Sequence, residues 1–253
     1  MQQTFLKPKS GKGLSGPALS ARRLFLQKAG LATASAAVLL TGCQPEFVEV
    51  SEKAADARSA RKHSAAVDLG SGDVAVLNYA YLLEQLEAAF YTTAVANQVF
   101  LNRLTTRDRQ FFADIRNHEV AHRDFFKAAL GSNAIPEVEF DFSAIYFGNR
   151  KQVLETAKTF EDLGVAAYNG AGQFITNREY LLLAGKIVSV EARHAAYLRE
   201  VIGYYDPAYA DPTLFAGEDI IDENGLDLAL SPAEVLAAAA PFIKADISLN
   251  AFA

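Results

Sequence analysis

Glu119 and His122 stand three residues apart, and Glu191 and His194 repeat the spacing. In a helix, residues at i and i+3 share a face, with Cβ atoms about 5–6 Å apart. A carboxylate oxygen and an imidazole nitrogen placed that way can reach one cation. Two of the four histidines carry such a glutamate, in a chain where only sixteen of 253 residues are glutamate. Each pair is flanked by apolar residues, Ile115 and Phe126 around the first, Ile187 and Leu198 around the second. Glu84 and Glu161 supply two further carboxylates. Each has a tyrosine seven residues on, Tyr91 and Tyr168, which is two helical turns along the same face. The order Glu84, Glu119-x-x-His122, Glu161, Glu191-x-x-His194 is one pattern of two helices written twice, as pseudo-twofold symmetry would require.

Four patterned segments must position these residues. Leu77, Ala80, Leu83 and Glu84, Ala88 and Tyr91 recur at helical spacing from Asp73 to about Val99, with no proline inside. A second helix is predicted from about Thr106 to Leu130, opened by Thr105 and Asp108 and stopped by Gly131. A third spans about Arg150 to Ile175, and a fourth about Arg178 to Ile202, ended by Gly203. The links between the first and second and between the third and fourth are short, which favours antiparallel neighbours. The stretch Ser132–Asn149 is long enough to cross a bundle. After a segment rich in Asp, Pro and Gly, Ser231-Pro232-Ala233-Glu234 combines a capping box with proline at the first helical position. It starts a short terminal helix that is expected to cover the bundle. The fold class is all-α: a four-helix bundle with one long crossover over residues 72–203 and an extension over 204–253.

Such a bundle would bring four carboxylates and two imidazoles together. Four buried carboxylates repel one another and lose their hydration; two divalent ions would bring +4 against −4. One Glu from each of two helices, with Glu-x-x-His from each of the other two, is the donor set of di-iron and di-manganese carboxylate bundles. Glu87 rivals Glu84 as the first-helix ligand, but only Glu84 matches the seven-residue spacing of Glu161 and Tyr168. Tyr91 and Tyr168 are expected to hydrogen-bond ligating carboxylates rather than to bind metal. His118 lies about 100° round the helix from Glu119, on an expected exposed face, and His63 falls in a polar tether; neither is assigned to the site.

The net charge of −6 hides an asymmetry. Residues 1–43 carry Lys7, Lys9, Lys12, Arg22, Arg23 and Lys28 and no acid, so the remainder carries −12. An acidic body has no electrostatic reason to bind nucleic acid or an anionic membrane surface. Arg22-Arg23-Leu24-Phe25-Leu26 resembles a twin-arginine export signal. It departs from the usual pattern at Ala21 and Gln27. The apolar run Ala29–Leu40 makes roughly 18 Å of helix, too short for a bilayer core of about 30 Å. It leads into Leu40-Thr41-Gly42-Cys43, which resembles a bacterial lipobox, and Cys43 is the only cysteine. Residues 1–43 are therefore expected to be an address read by the twin-arginine machinery, with an acylated Cys43 beginning the mature protein. Residues 44–71 form its tether.

The stretch from Asn78 to Tyr91, the two Glu-x-x-His helices and the run Phe160-Glu161-Asp162-Leu163-Gly164-Val165 resemble the ferritin-like superfamily, in particular its desiccation-related proteins. The resemblance covers about residues 72–203, with a similar terminal segment around Ser231–Ile243. It implies a di-iron bundle with metal ligands Glu84, Glu119, His122, Glu161, Glu191 and His194. Both histidines sit in Glu-x-x-His, which favours two iron ions over manganese. A rubrerythrin-like second iron site would need four cysteines, and a haem held between methionines is excluded because Met1 is the only methionine. A lipid at one end and a long C-terminal extension disfavour a closed storage shell, while a homo-oligomer is allowed. Two functions follow. The first is an enzyme of the bacterial cell envelope, on its periplasmic side, that oxidises iron with peroxide or oxygen during oxidative or desiccation stress. The second is a stress-protective bundle whose metal is structural or absent.

Overall fold

A computed structural model describes residues 66–206 and 220–252. The export motif with Arg22 and Arg23, the lipobox with Cys43, His63 and most of the tether lie outside the described residues. The element order is β1 (Val67–Asp68), α1 (Gly72–Ala96), α2 (Gln98–Leu101), α3 (Thr106–Leu130), α4 (Arg150–Ala171), α5 (Arg178–Tyr205), α6 (Pro232–Ala239) and β2 (Ile247–Ser248). Helices α1, α3, α4 and α5 form the bundle. α1 pairs with α3, α4 pairs with α5, and α1 and α4 meet across the middle. None of the described helices is long and apolar enough to cross a membrane.

α1 is buried on nearly every face, because the crossover covers the side that the other helices leave open. Two polar residues of α1 anchor that crossover. Asn78 Nδ2 donates to the carbonyls of Leu69 and Asn133 and its Oδ1 accepts from Ile135 N, while Gln85 Oε1 accepts from Val138 N. A buried asparagine is costly unless bonded; here it fixes where the crossover leaves α3. Further along, Phe142 and Phe147 pack on Phe90, with ring centroids 5.9 and 5.8 Å away, and Phe160 of α4 closes the cluster at 5.1 Å.

Three of the four bundle helices start at a side-chain cap, while Ser71 before α1 makes none. Thr105 Oγ1 accepts from Asp108 N, Asn149 Oδ1 from Gln152 N, and Asn177 Oδ1 from Glu179 N. Asp73 in the first turn of α1 accepts from Thr176 N, Thr176 Oγ1 and Asn177 N, which ties the starts of α1 and α5 together. A bidentate pair between Arg199 and Asp162, at 2.7 and 2.9 Å, locks α5 to α4.

Three boundaries differ from the expected ones; α4 ends at Ala171 rather than Ile175, giving way to a 3-10 turn over Gly172–Phe174. The first helix ends at Ala96 rather than Val99, because Asn97 caps a separate short turn by accepting from Phe100 N. The fourth continues past Gly203 to Tyr205. Glycine inside a helix costs about 1 kcal/mol, and tertiary contacts at Tyr205 offset it. Its hydroxyl accepts from Thr105 N and donates to Asp108, and Arg150 lies over its ring at 4.0 Å.

The extension folds back on the bundle. Ser231 and Glu234 form a complete capping box for α6, and Leu230 N donates to the Ala166 carbonyl. A Cβ at Gly170 would stand 1.8 Å from the Leu230 carbonyl oxygen, so glycine lets that strand of the extension lie against α4. Phe242 meets Phe160 at 4.9 Å, Phe252 meets Tyr79 at 5.6 Å, and β2 pairs with β1 in parallel.

Candidate metal centre

The four bundle helices carry Glu84 on α1, Glu119 and His122 on α3, Glu161 on α4, and Glu191 and His194 on α5 into one buried cluster. Their donor atoms fall into two sets, each with all members within 4.8 Å of one another. One set is Glu84, Glu119, His122 and Glu191; the other is Glu119, Glu161, Glu191 and His194. Glu119 and Glu191 belong to both. Their two oxygens divide between the sets. His122 Nδ1 lies 3.2 Å from Glu119 Oε2 and 3.0 Å from Glu191 Oε1. His194 Nδ1 lies 3.0 Å from Glu119 Oε1 and 3.6 Å from Glu191 Oε2. Glu84 and Glu161 each face one imidazole alone, at 3.4 and 3.2 Å.

The electrostatics of this cluster favour bound cations. Glu84, Glu119, Glu161 and Glu191 are buried. Glu84 Oε2, Glu119 Oε1 and both oxygens of Glu191 have no hydrogen bond among the described residues. Buried polar atoms of native proteins are nearly always paired; here the Nδ1 atom of each imidazole lies within 3.0–3.6 Å of three carboxylate oxygens and cannot satisfy all of them, which leaves the oxygens capacity for cations. Burial raises the Glu84 carboxyl to about 8 despite His122 beside it. Burial and the Glu119 charge push Glu161 upward as well. Burial alone would lower both histidines, but the surrounding carboxylates overcome it and carry each up to about 12. Glu191, raised by burial, is brought down to about 2 by the approach of His122 and His194. In the absence of metal, protons on the imidazoles and on some carboxyls neutralise the site. Divalent cations held by the same atoms would displace those protons. Carboxylate oxygens and imidazole nitrogens suit iron or manganese, and the paired sets with orphaned oxygens fit two such ions.

The tyrosines cross between the halves. Tyr91 of α1 donates to Glu161 Oε1 of α4 at 2.5 Å, and Tyr168 of α4 donates to Glu84 Oε1 of α1. Each thus fixes the terminal carboxylate of the opposite half and leaves its other oxygen facing the cluster. Glu87, the rival to Glu84, is buried but belongs to neither set. Burial, then the charges of Glu191 and Glu161, hold it well above the ordinary carboxyl range. It packs against Gly164, where a Cβ would come within 3.1 Å of its Oε1.

One contact was not legible in the sequence. His118 is exposed, as its position round the helix suggests, yet its Nδ1 lies 2.9 Å from His194 Nε2, with the rings stacked. The two ring nitrogens share one hydrogen, which fixes the ring; as the imidazolium its surroundings favour, His194 is the donor and His118 accepts. Residue 118 faces α5 across the helix interface, and no spacing rule within α3 could announce that.

No curated protein matches the chain. The family described as ferritin-like domain matches residues 72–204, a span that runs from the start of α1 almost to the end of α5 and holds all six clustered side chains. By that match, over more than half of its length, the chain belongs to the ferritin-like domain family.

Proposed function

We propose that this chain is an exported di-iron carboxylate protein that oxidises iron with peroxide or oxygen in the bacterial cell envelope, in the manner expected of the desiccation-related branch. The observation that carries the reading is the division of oxygens at Glu119 and Glu191, one to each half of the cluster. That placement lets two cations share both carboxylates while Glu84 with His122, and Glu161 with His194, serve one each. Two adjacent irons can deliver two electrons together, which matches the reduction of peroxide without release of a radical. The chain's own part is to hold the donors on four helices, steady Glu84 and Glu161 through Tyr168 and Tyr91, and bury the carboxylates from bulk water. Iron is preferred to manganese because both histidines lie in Glu-x-x-His. Export rests on Arg22 and Arg23, and anchoring on a lipid at Cys43; a Cys43→Ala chain that stays membrane-bound would refute the anchor.

Rapid mixing tests the reaction. Ferrous-loaded chain should oxidise with peroxide far faster than iron in buffer. A rate equal to that of Glu119→Ala/Glu191→Ala would reject it. The second reading, a stress-protective bundle with structural or absent metal, is favoured by one observation. His122 and His194 lie within 3.0–3.6 Å of the carboxylates and can neutralise much of their charge as imidazolium.

A further inference from the structure

The start of α5 presents apolar residues that the bundle does not cover. Tyr180, Leu181, Leu182 and Leu183 follow one another there, yet no residue from Arg178 to Lys186 is buried; the first buried one on α5 is Ile187. Leu181 and Leu182 are 48 % and 61 % exposed. A single exposed leucine is ordinary, so its neighbours decide what it means. Gly185 lies one turn after Leu182 on the same face, inside a helix, where glycine is less stable than alanine. Nothing within the chain requires it: its φ is not positive, and a Cβ there would meet no atom within 4 Å. It leaves a hollow beside the leucine. Glu179 and Lys186 stand two turns apart and line one edge of the stripe that Leu182 and Gly185 form. Both are exposed, and neither forms an ion pair among the described residues.

These four residues are complementary to their own reversed order. Against a second α5 running antiparallel, about a twofold axis midway between Leu182 and Gly185, Leu182 of each copy meets the hollow at Gly185 of the other. The same operation sets Glu179 of each copy opposite Lys186 of the other, to within about 3 Å along the axis, which long side chains bridge. A parallel, in-register pair would instead set Glu179 on Glu179 and Lys186 on Lys186. We propose that this face joins two copies of the chain in an isologous dimer through antiparallel α5 helices. One helix on one helix is at the small end of specific interfaces, so the dimer should dissociate on dilution. No member of the metal cluster takes part, and the association does not depend on the iron reading.

Sedimentation equilibrium of the full chain carrying Cys43→Ala, so that no lipid drives association, tests the interface. The chain should pass from monomer to dimer as its concentration rises. Glu179→Lys and Lys186→Glu each place like charges opposite one another and should weaken the dimer at least about tenfold. The double exchange Glu179→Lys/Lys186→Glu should restore it. Gly185→Leu, which fills the hollow from an exposed position, should weaken it at least about tenfold as well. Circular dichroism should show unchanged helical content in all four variants. A chain that is monomeric at every concentration would overturn the proposal and leave the face to another part of the chain or to a lipid surface. A dimer indifferent to these changes would overturn the interface, and failure of the double exchange to restore association would overturn the antiparallel register.

Discussion

The α1–α3 half and the α4–α5 half of the bundle hold the same donors in unlike surroundings. Glu84, Glu119 and His122 correspond to Glu161, Glu191 and His194, and the two tyrosines cross to the opposite half in the same way. Three residues after the terminal glutamate the halves part: α1 has Glu87, α4 has Gly164, and the carboxyl of one fills the space that the other leaves. One residue before the shared glutamate they part again. α3 has His118, which touches His194, whereas α5 has Val190, which cannot accept a hydrogen bond from His122. The His122 side chain is 14 % exposed and that of His194 5 %. The ligands are duplicated, but their surroundings are not. On the proposed two-metal reading, the two positions should therefore differ in affinity, and the α4–α5 position, better buried and backed by His118, should be the tighter.

The largest effect on that comparison comes from removing one terminal ligand. Glu84→Ala and Glu161→Ala should each reduce the metal content from about two ions to about one per chain. Equal retention of two ions by Glu84→Ala would move the ligand role to Glu87.

The α4 glycines come next. Gly170→Ala drives a Cβ into backbone at 1.8 Å and should destabilise by about 3 kcal/mol. Gly164→Ala meets only the end of the Glu87 side chain at 3.1 Å and should cost less than about 1 kcal/mol. Urea unfolding of both variants measures the difference; equal losses would contradict the packing assigned to the extension.

The pH dependence of the metal-free chain is smaller and has a defined sign. His122 and His194, raised to about 12 from an ordinary 6.5, stabilise fully below 6.5 and lose that contribution as pH rises toward 12. Glu84, raised to about 8 from 4.5, contributes below 4.5 and loses its part as pH rises through 8. Glu191, lowered to about 2, contributes above 4.5 and fails as pH falls toward 2. The Tm of chelator-treated chain should fall between about pH 6 and pH 9. Metal-loaded chain should not follow, because cations take the place of the protons. The same fall in both forms would place the titrating groups elsewhere.

His118→Leu carries the smallest expected effect. It should weaken only the His194 position, by about tenfold, and leave the His122 position unchanged in a competition titration. Equal weakening of both would show that His118 acts through the bundle as a whole and not through His194.

Much of this architecture is written locally in the sequence. The capping residues Thr105 and Ser231, the crossover length and the repeated Glu-x-x-His all act within a few residues of themselves, so spacing alone reveals them. The crossing of Tyr91 and Tyr168 is not local. Their seven-residue spacing suggests the face of their own glutamates, but the partner of each stands on the opposite helix. The same holds for His118 on His194, for Gly164 against Glu87, and for the continuation of α5 through Gly203, which depends on Tyr205 reaching Thr105 and Asp108. Interhelical contacts depend on rotation and register that no single helix encodes.

The central claim is that Glu119 and Glu191 are shared by two metal positions. Elemental analysis of iron-loaded native chain and of the Glu119→Ala/Glu191→Ala variant tests it most directly. The account predicts about two ions per native chain and essentially none in the variant, whose helical content should persist. A variant that keeps both ions would contradict it.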